Sequence, residues 1–176
     1  MRTELRRAGA DEALQPVHLQ ALGYLARANR YSNTPQALAE YLGLTKGTVS
    51  QTLLLLDRRG LIERFEDEID RRVVRLRLST AGEQLLAEAQ PALAWQNATR
   101  NISPNRIRNA TSALREALTT LQQDNEGAAF GVCHNCAWHQ KLSQRAYRCG
   151  RMGDRLSGPE TRKICRIYVA KTEETA

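Results

Sequence analysis

The chain has 176 residues, 41% of them hydrophobic and 26% charged, enough to bury a core as one domain or as one domain with an attached unit. No apolar run approaches the roughly 20 residues that span a bilayer, and the start MRTELRRAGADEAL lacks the apolar centre of a signal peptide. A soluble, cytoplasmic protein with no membrane partner is expected, in a compartment where clustered thiols serve metals or catalysis more than disulfides. The formal net charge of +7 suits an anionic partner, but it is unevenly placed: residues 1–126 carry 17 basic and 15 acidic side chains, residues 127–176 carry 9 and 4.

From Asp11 to Arg30, Leu14, Val17, Leu22 and Leu25 recur at helical spacing, with Pro16 tolerable only in a first turn. Thr34 then offers a cap with Pro35 at the first helical position, Leu38, Ala39 and Leu42 face inward, and Gly43 stops the helix. Thr45 caps the next helix, which buries Val49, Leu53 and Leu56, keeps Lys46, Thr48, Ser50 and Gln51 on other faces, and ends at Gly60. A short helix, a glycine turn and a second helix that opens on small polar residues are the parts of a helix-turn-helix. The period then changes to two. Leu61 to Phe65 reads as one strand, and Val73 to Leu78, alternating arginine with leucine or valine, reads as its partner. The charged stretch Glu66 to Arg72 is the hairpin tip, which makes the unit winged. Ser79 or Thr80 caps a helix that is expected to reach about Arg100 with a kink at Pro91, and Ser103-Pro104 opens another with Ile107, Ala110, Thr111, Leu114, Leu118 and Leu121 in one stripe. Asn125-Glu126-Gly127 closes it. Beyond lie glycine, cysteine and arginine with little periodicity, up to a short helix expected within Pro159 to Ala170. So small an apolar content needs help to fold, and a metal is one common source.

In this order the elements resemble the MarR family of bacterial transcription regulators over about residues 11–123. The stretches LTKGTVSQTLLLLDRRGLIER and DRRVVRLRLSTAGEQLL carry the likeness. The resemblance implies a mainly α fold with a winged helix-turn-helix core, a two-stranded wing and long dimerisation helices. It also implies a homodimer bound to double-stranded operator DNA. By position, Thr45, Lys46, Thr48, Ser50 and Gln51 would contact bases and phosphates, and Arg71 or Arg72 would reach the minor groove. That agrees with the chemistry, since hydroxyls and amides read base edges while cations attract phosphates and narrow grooves. Against this, Thr48 and Ser50 can be plain solvated positions, and Arg72 can pair with Glu66, Asp67 or Glu68. MarR-like proteins also often bind small, frequently phenolic effectors, and nothing in the sequence identifies one.

All four cysteines lie in 127–176, read as a cysteine-rich metal-binding extension on a DNA-binding and dimerisation domain of residues 1–126. Cys133, Cys136, Cys149 and Cys165 are spaced C-x2-C-x12-C-x15-C. The C-x2-C turn aims two sulfurs one way, and two further cysteines complete a four-thiolate site. Structural zinc usually takes two C-x2-C knuckles, whereas Cys149 and Cys165 arrive singly, so the spacing leans to an iron–sulfur cluster, 2Fe-2S or 4Fe-4S, with Zn2+ as the alternative. The extension also resembles the cysteine-bearing tails of some MarR-like regulators, which implies a sensor of redox state, oxygen or iron. His134 and His139 are rival ligands; Trp138 and Tyr147 are expected to shield the site. Arg145, Arg148, Arg151, Arg155, Arg162, Lys163 and Arg166 either offset the negative charge of four thiolates and a cluster or extend the DNA-binding surface; charge compensation with ordinary solvation is the expected account. A dithiol oxidoreductase fits poorly, because no βαβ pattern surrounds the C-x2-C pair, and no other catalytic constellation stands out; a non-enzyme is expected.

Overall fold

The computed structural model describes residues 14–89, 97–124 and 129–171. The expected start of the first helix at Asp11, the kink at Pro91, the stop at Asn125 to Gly127 and the boundary between the two units lie outside them.

Helix α1 (Pro16–Arg27) begins at its proline, whose missing N–H is no loss in a first turn, and His18 Nδ1 accepts the Gln15 N–H at 2.9 Å. It buries Leu19, Ala21, Leu22, Tyr24 and Leu25. In α2 (Pro35–Leu42), Thr34 Oγ1 accepts the Ala37 N–H at 3.2 Å and Gly43 ends the helix at φ 64°. In α3 (Lys46–Arg58), Thr45 Oγ1 accepts the Thr48 N–H at 3.2 Å, and Val49, Thr52, Leu53 and Leu56 turn inward. These are the expected caps and the expected apolar stripe.

The wing pairs β1 (Ile62–Glu66) with β2 (Val74–Leu78), Ile62 opposite Leu78 and Glu66 opposite Val74. Both strands start one residue later than expected. The Leu61 N–H is taken by Leu56 O at 2.9 Å, closing α3, and the Val73 N–H by Asp70 O at 2.8 Å, closing the tip. Helix α4 (Thr80–Ala89) is capped by Ser79, whose Oγ accepts the Gly82 N–H at 3.1 Å. Gly82 sits so close to the wing root that a Cβ would lie 2.0 Å from Leu61 O. Helix α5 (Pro104–Asp124) leaves its stripe uncovered: Leu114, Leu118 and Leu121 are each more than half exposed.

The cysteine-bearing unit is mostly short β-structure, which the sequence pattern did not suggest. Strand β3 (Gly131–Val132) pairs with β7 (Ile164–Cys165), while β4 (His139–Lys141), β5 (Tyr147–Cys149) and β6 (Arg155–Leu156) form an antiparallel sheet. The helix expected within Pro159 to Ala170 is one turn only, α6 (Gly158–Thr161), capped by Ser157. Beyond it the β-branched run Ile164, Ile167, Val169 favours extended backbone, Cys165 pairs with Gly131, and Ala170 bridges Cys136.

Nor is this unit a loose appendage. Ile164 joins the helical core, its carbonyl accepts the Asn29 N–H at 2.9 Å, and Phe130 meets the rings of Tyr24 and Tyr41 edge-on. Arg166 grips Glu40 with two 2.6 Å bonds, Arg30 Nε donates to Glu160 at 2.6 Å, and the Tyr31 hydroxyl donates to Asp154 at 2.7 Å. Arg166 therefore binds the helical unit instead of offsetting thiolate charge.

Gly82→Ala must displace the wing root from α4. A loss of about 1–3 kcal/mol is expected, read as a lower denaturant midpoint at unchanged slope.

Candidate nucleic-acid interface and cysteine site

The side chains expected to face DNA are all at the surface: Thr45, Lys46, Thr48, Ser50 and Gln51 at the start of α3, Arg71 and Arg72 at the wing tip. Local chemistry divides them. Thr45 Oγ1 both caps α3 and lies 2.9 Å from Thr48 Oγ1, so that pair is partly engaged within the helix end. Lys46, Ser50 and Gln51 project from an α-helix whose opposite face is locked into the core by Val49 and Leu53, which fixes their direction.

The wing tip is acidic in sequence but not in availability. Asp67 accepts the backbone N–H groups of Asp70 and Ile69, both at 2.9 Å, and Arg75 Nε at 2.7 Å. The Asp70 N–H, then Arg75 and the Ile69 N–H, hold its carboxyl down at about 2. Asp67 is thus the internal brace of the tip. Arg72 does pair with a carboxylate, but with Asp70, at 3.0 and 3.2 Å, and not with Glu66, Asp67 or Glu68. With the arginine side chain 91% exposed, such a pair is weak and readily exchanged for a phosphate.

The four cysteines are buried, each 7% exposed or less, and none is in a disulfide. Cys133 opens a single 3-10 turn whose carbonyl accepts the Cys136 N–H at 3.0 Å; Cys149 stands opposite His139 on β5, and Cys165 opposite Gly131 on β7. Gly131 is required there, since a Cβ would lie 2.5 Å from the Tyr168 ring. Burial, reinforced by Cys165, Cys136 and Cys149, pushes the Cys133 thiol up to about 12. Burial also raises Cys165, against the opposing pull of the Asn29 carboxamide and the Ile167 N–H, and the Val169 N–H donates to Cys136 Sγ at 3.5 Å.

Among the described residues no three or more histidine, cysteine or acidic side chains are gathered into a closed ligand set. What the structure does bring together is four buried sulfurs, with backbone N–H groups turned toward two of them and an enclosing shell of side chains. Tyr31, Tyr147, Ile167 and Tyr168 supply the shell, whereas Trp138, expected in it, is 45% exposed. His134 Nδ1 lies 3.2 Å from Thr161 O. The His139 ring stacks on Tyr147, its Nε2 is buried without a hydrogen bond, and burial lowers its pKa. The sequence reading missed Asn29, Tyr31 and Ser32, which reach the cysteine unit from the helical one. With over a hundred residues intervening, no local pattern links them.

Buried thiols resist modification. An aromatic disulfide reagent is expected to label the native metal-free protein slowly and all 4 cysteines rapidly after unfolding; rapid native labelling would contradict the packing.

Residues 14–73 match the sequence profile of the MarR family. Solved structures of similar fold include a Staphylococcus aureus MepR–DNA complex, 23% identical, covering 68% of this chain and 88% of that one at a TM-score of 0.52. S. aureus MepR bound to ethidium bromide is 24% identical, with 68% and 86% covered and a TM-score of 0.51. A MarR-family transcriptional regulator from Silicibacter pomeroyi is 21% identical, with 68% and 80% covered and a TM-score of 0.57. No curated protein matches the chain significantly. Residues 14–73, from the lead into α1 to the tip of the wing, are thus similar to the MarR family, and the structure over and just beyond them is a winged helix-turn-helix.

Proposed function

We propose that the protein is a homodimeric, DNA-binding transcription regulator, acting as a repressor, whose cysteine unit holds an iron–sulfur cluster and adjusts operator affinity to redox state, oxygen or iron. The observation that carries the DNA-binding part is the pairing of a rigidly held, polar and exposed α3 start with exposed wing arginines. MepR, of like fold, has been solved on DNA. Lys46 and Arg71 would neutralise phosphates, Thr48, Ser50 and Gln51 would meet base edges in the major groove, and Arg72 would exchange Asp70 for the backbone of the adjacent minor groove. A second copy is the natural cover for the apolar stripe of α5, since water-exposed leucines on one face of a 21-residue helix favour burial. A cleft lined by Leu25, Leu76, Leu78 and Leu86, with Arg77 and Lys163 in its wall, is the place for a small effector.

Cys133, Cys136, Cys149 and Cys165 would hold the group, which when bound would supply a redox-sensitive charge and a cross-link between the turn after β3, β5 and β7. Around it this chain's own residues act: Tyr31, Tyr147 and Tyr168 exclude water, and the Ile167 and Val169 N–H groups offer hydrogen bonds to sulfur, a known lever on cluster potential. Zinc is the second reading. The extensive docking of the unit on the α1–α2 corner favours it, because a structural staple would serve that purpose equally well.

Two measurements test these readings. On a duplex selected from a random pool by the wild-type protein, Lys46→Ala and Arg71→Ala should each weaken binding and reduce the salt slope by about one; unchanged binding in both would reject the interface. Anaerobically purified protein should be brown and contain iron and sulfide, whereas a colourless protein with one zinc per chain would establish the staple.

A further inference from the structure

The three-stranded sheet of the cysteine unit has two faces of opposite character. Residues directly opposed on antiparallel strands point to the same side. One side carries His139 opposite Cys149 and Tyr147 opposite Leu156, and Cys149 and Leu156 are buried. The other side is the row Gln140, Arg148 and Arg155. Gln140 stands opposite Arg148 and Arg148 opposite Arg155, and all three are exposed. Arg145, in the turn before β5, and Arg151, in the turn after it, are exposed as well, so positive charge continues past both ends of the central strand.

Two arginines facing each other across neighbouring strands repel, which destabilises a sheet. The acidic side chains within residues 129–171 are Asp154 and Glu160, and both are engaged by the helical unit: Asp154 Oδ2 accepts the Tyr31 hydroxyl at 2.7 Å, and Glu160 Oε1 accepts Arg30 Nε at 2.6 Å. Among the described residues neither Arg148 nor Arg155 is paired with a carboxylate; Arg148 Nε donates to Gly153 O at 3.1 Å, which fixes its guanidinium. A row of one sign with no apolar anchor suits a polyanion better than a folded protein surface. Guanidinium forks match phosphate oxygens in particular. The sheet also shares its support with the wing, since the Arg30 carbonyl accepts Arg75 Nη1 of β2 while the Arg30 side chain holds Glu160.

We infer that the outer face of this sheet, through Arg148 and Arg155, binds the phosphate backbone of the DNA that flanks the operator. This rests on the DNA-binding reading above and is independent of what the cysteines hold. Each arginine neutralises a phosphate, so the repulsion between the two, unfavourable in the free protein, is relieved on DNA. A guanidinium on a phosphate reads no base edge, and the face therefore adds affinity without adding sequence preference. The contact lies outside the helix-turn-helix and lengthens the stretch of duplex that the protein covers.

The test uses the full chain and two duplexes: the selected site trimmed to its shortest binding length, and the same site extended at each end by about one helical turn of unrelated sequence. The wild-type protein should bind the extended duplex more tightly and with a steeper salt dependence. Arg155→Ala should lower the salt slope on the extended duplex by about one per protomer and leave that on the short duplex unchanged, and Arg155→Lys should restore it. The double variant Arg148→Ala/Arg155→Ala should lose the preference for the extended duplex, while Arg162→Ala, an exposed cation of the same unit off the sheet, should keep it. A wild-type chain that binds neither duplex overturns the DNA-binding reading and this inference with it. Wild-type binding of both duplexes alike, or a double variant whose DNA binding is unchanged, overturns the role of the sheet face alone, and the latter is the result an acidic protein partner predicts. An equal loss in Arg162→Ala overturns it too, by assigning the effect to diffuse positive charge.

Discussion

A phenol sealed from water must find its hydrogen-bond partner within the protein, and in this molecule that requirement falls on Tyr24. It is fully buried, its hydroxyl donates to Ser32 O at 2.7 Å, and burial raises its pKa far above the usual range for tyrosine. Its ring lies against Tyr41 of α2, with centroids 4.5 Å apart, and Phe130 closes over both. One side chain therefore sets the spacing of α1 and α2, the course of the turn between them and the entry of the cysteine unit. Those residues meet where a change of position in any one is passed to the others.

The corner built around that ring gives the two units a common support. Residues 28–33 accept and donate hydrogen bonds on one side to Ile164 and Arg166, and on the other to Arg75 and Leu76 of the wing. A close-packed corner of this kind does not deform continuously; it has few arrangements, separated by the making and breaking of particular bonds.

The charge of the molecule has to be seen in the same way. The excess of cations after residue 127 looks like one anion-binding tail when counted, yet Arg166 is held by Glu40. At the wing, four acidic side chains between Glu66 and Asp70 seem hostile to DNA, but Asp67 is held by the tip backbone and Arg75, and Asp70 is matched by Arg72. Outward on the winged helix-turn-helix stand the polar start of α3 and, at the wing tip, the exposed Arg71.

Much of the helical unit was legible from residue order because its determinants are local. Thr34, Thr45 and Ser79 cap helices through bonds to N–H groups three residues on, Gly43 and Gly60 take the left-handed conformation their stop positions need, and the alternation in β2 puts Leu76 inward. Strand starts moved by one residue because Leu56 O and Asp70 O claimed the neighbouring N–H groups. The four cysteines were likewise recognisable by spacing. Their surroundings were not: the strand at Ile164–Cys165 depends on pairing with Gly131–Val132, the Arg166–Glu40 bond joins residues 126 apart, and the Asn29 N–H reaches Ile164 O from the other unit. Sequence alone determined where helices begin, which faces are apolar and which side chains have the chemistry for DNA and metal, since those follow from contacts a few residues apart. Only the tertiary structure decided that the cysteine unit is bound to the corner beneath the wing, because that depends on groups brought together by burial and not by order in the chain.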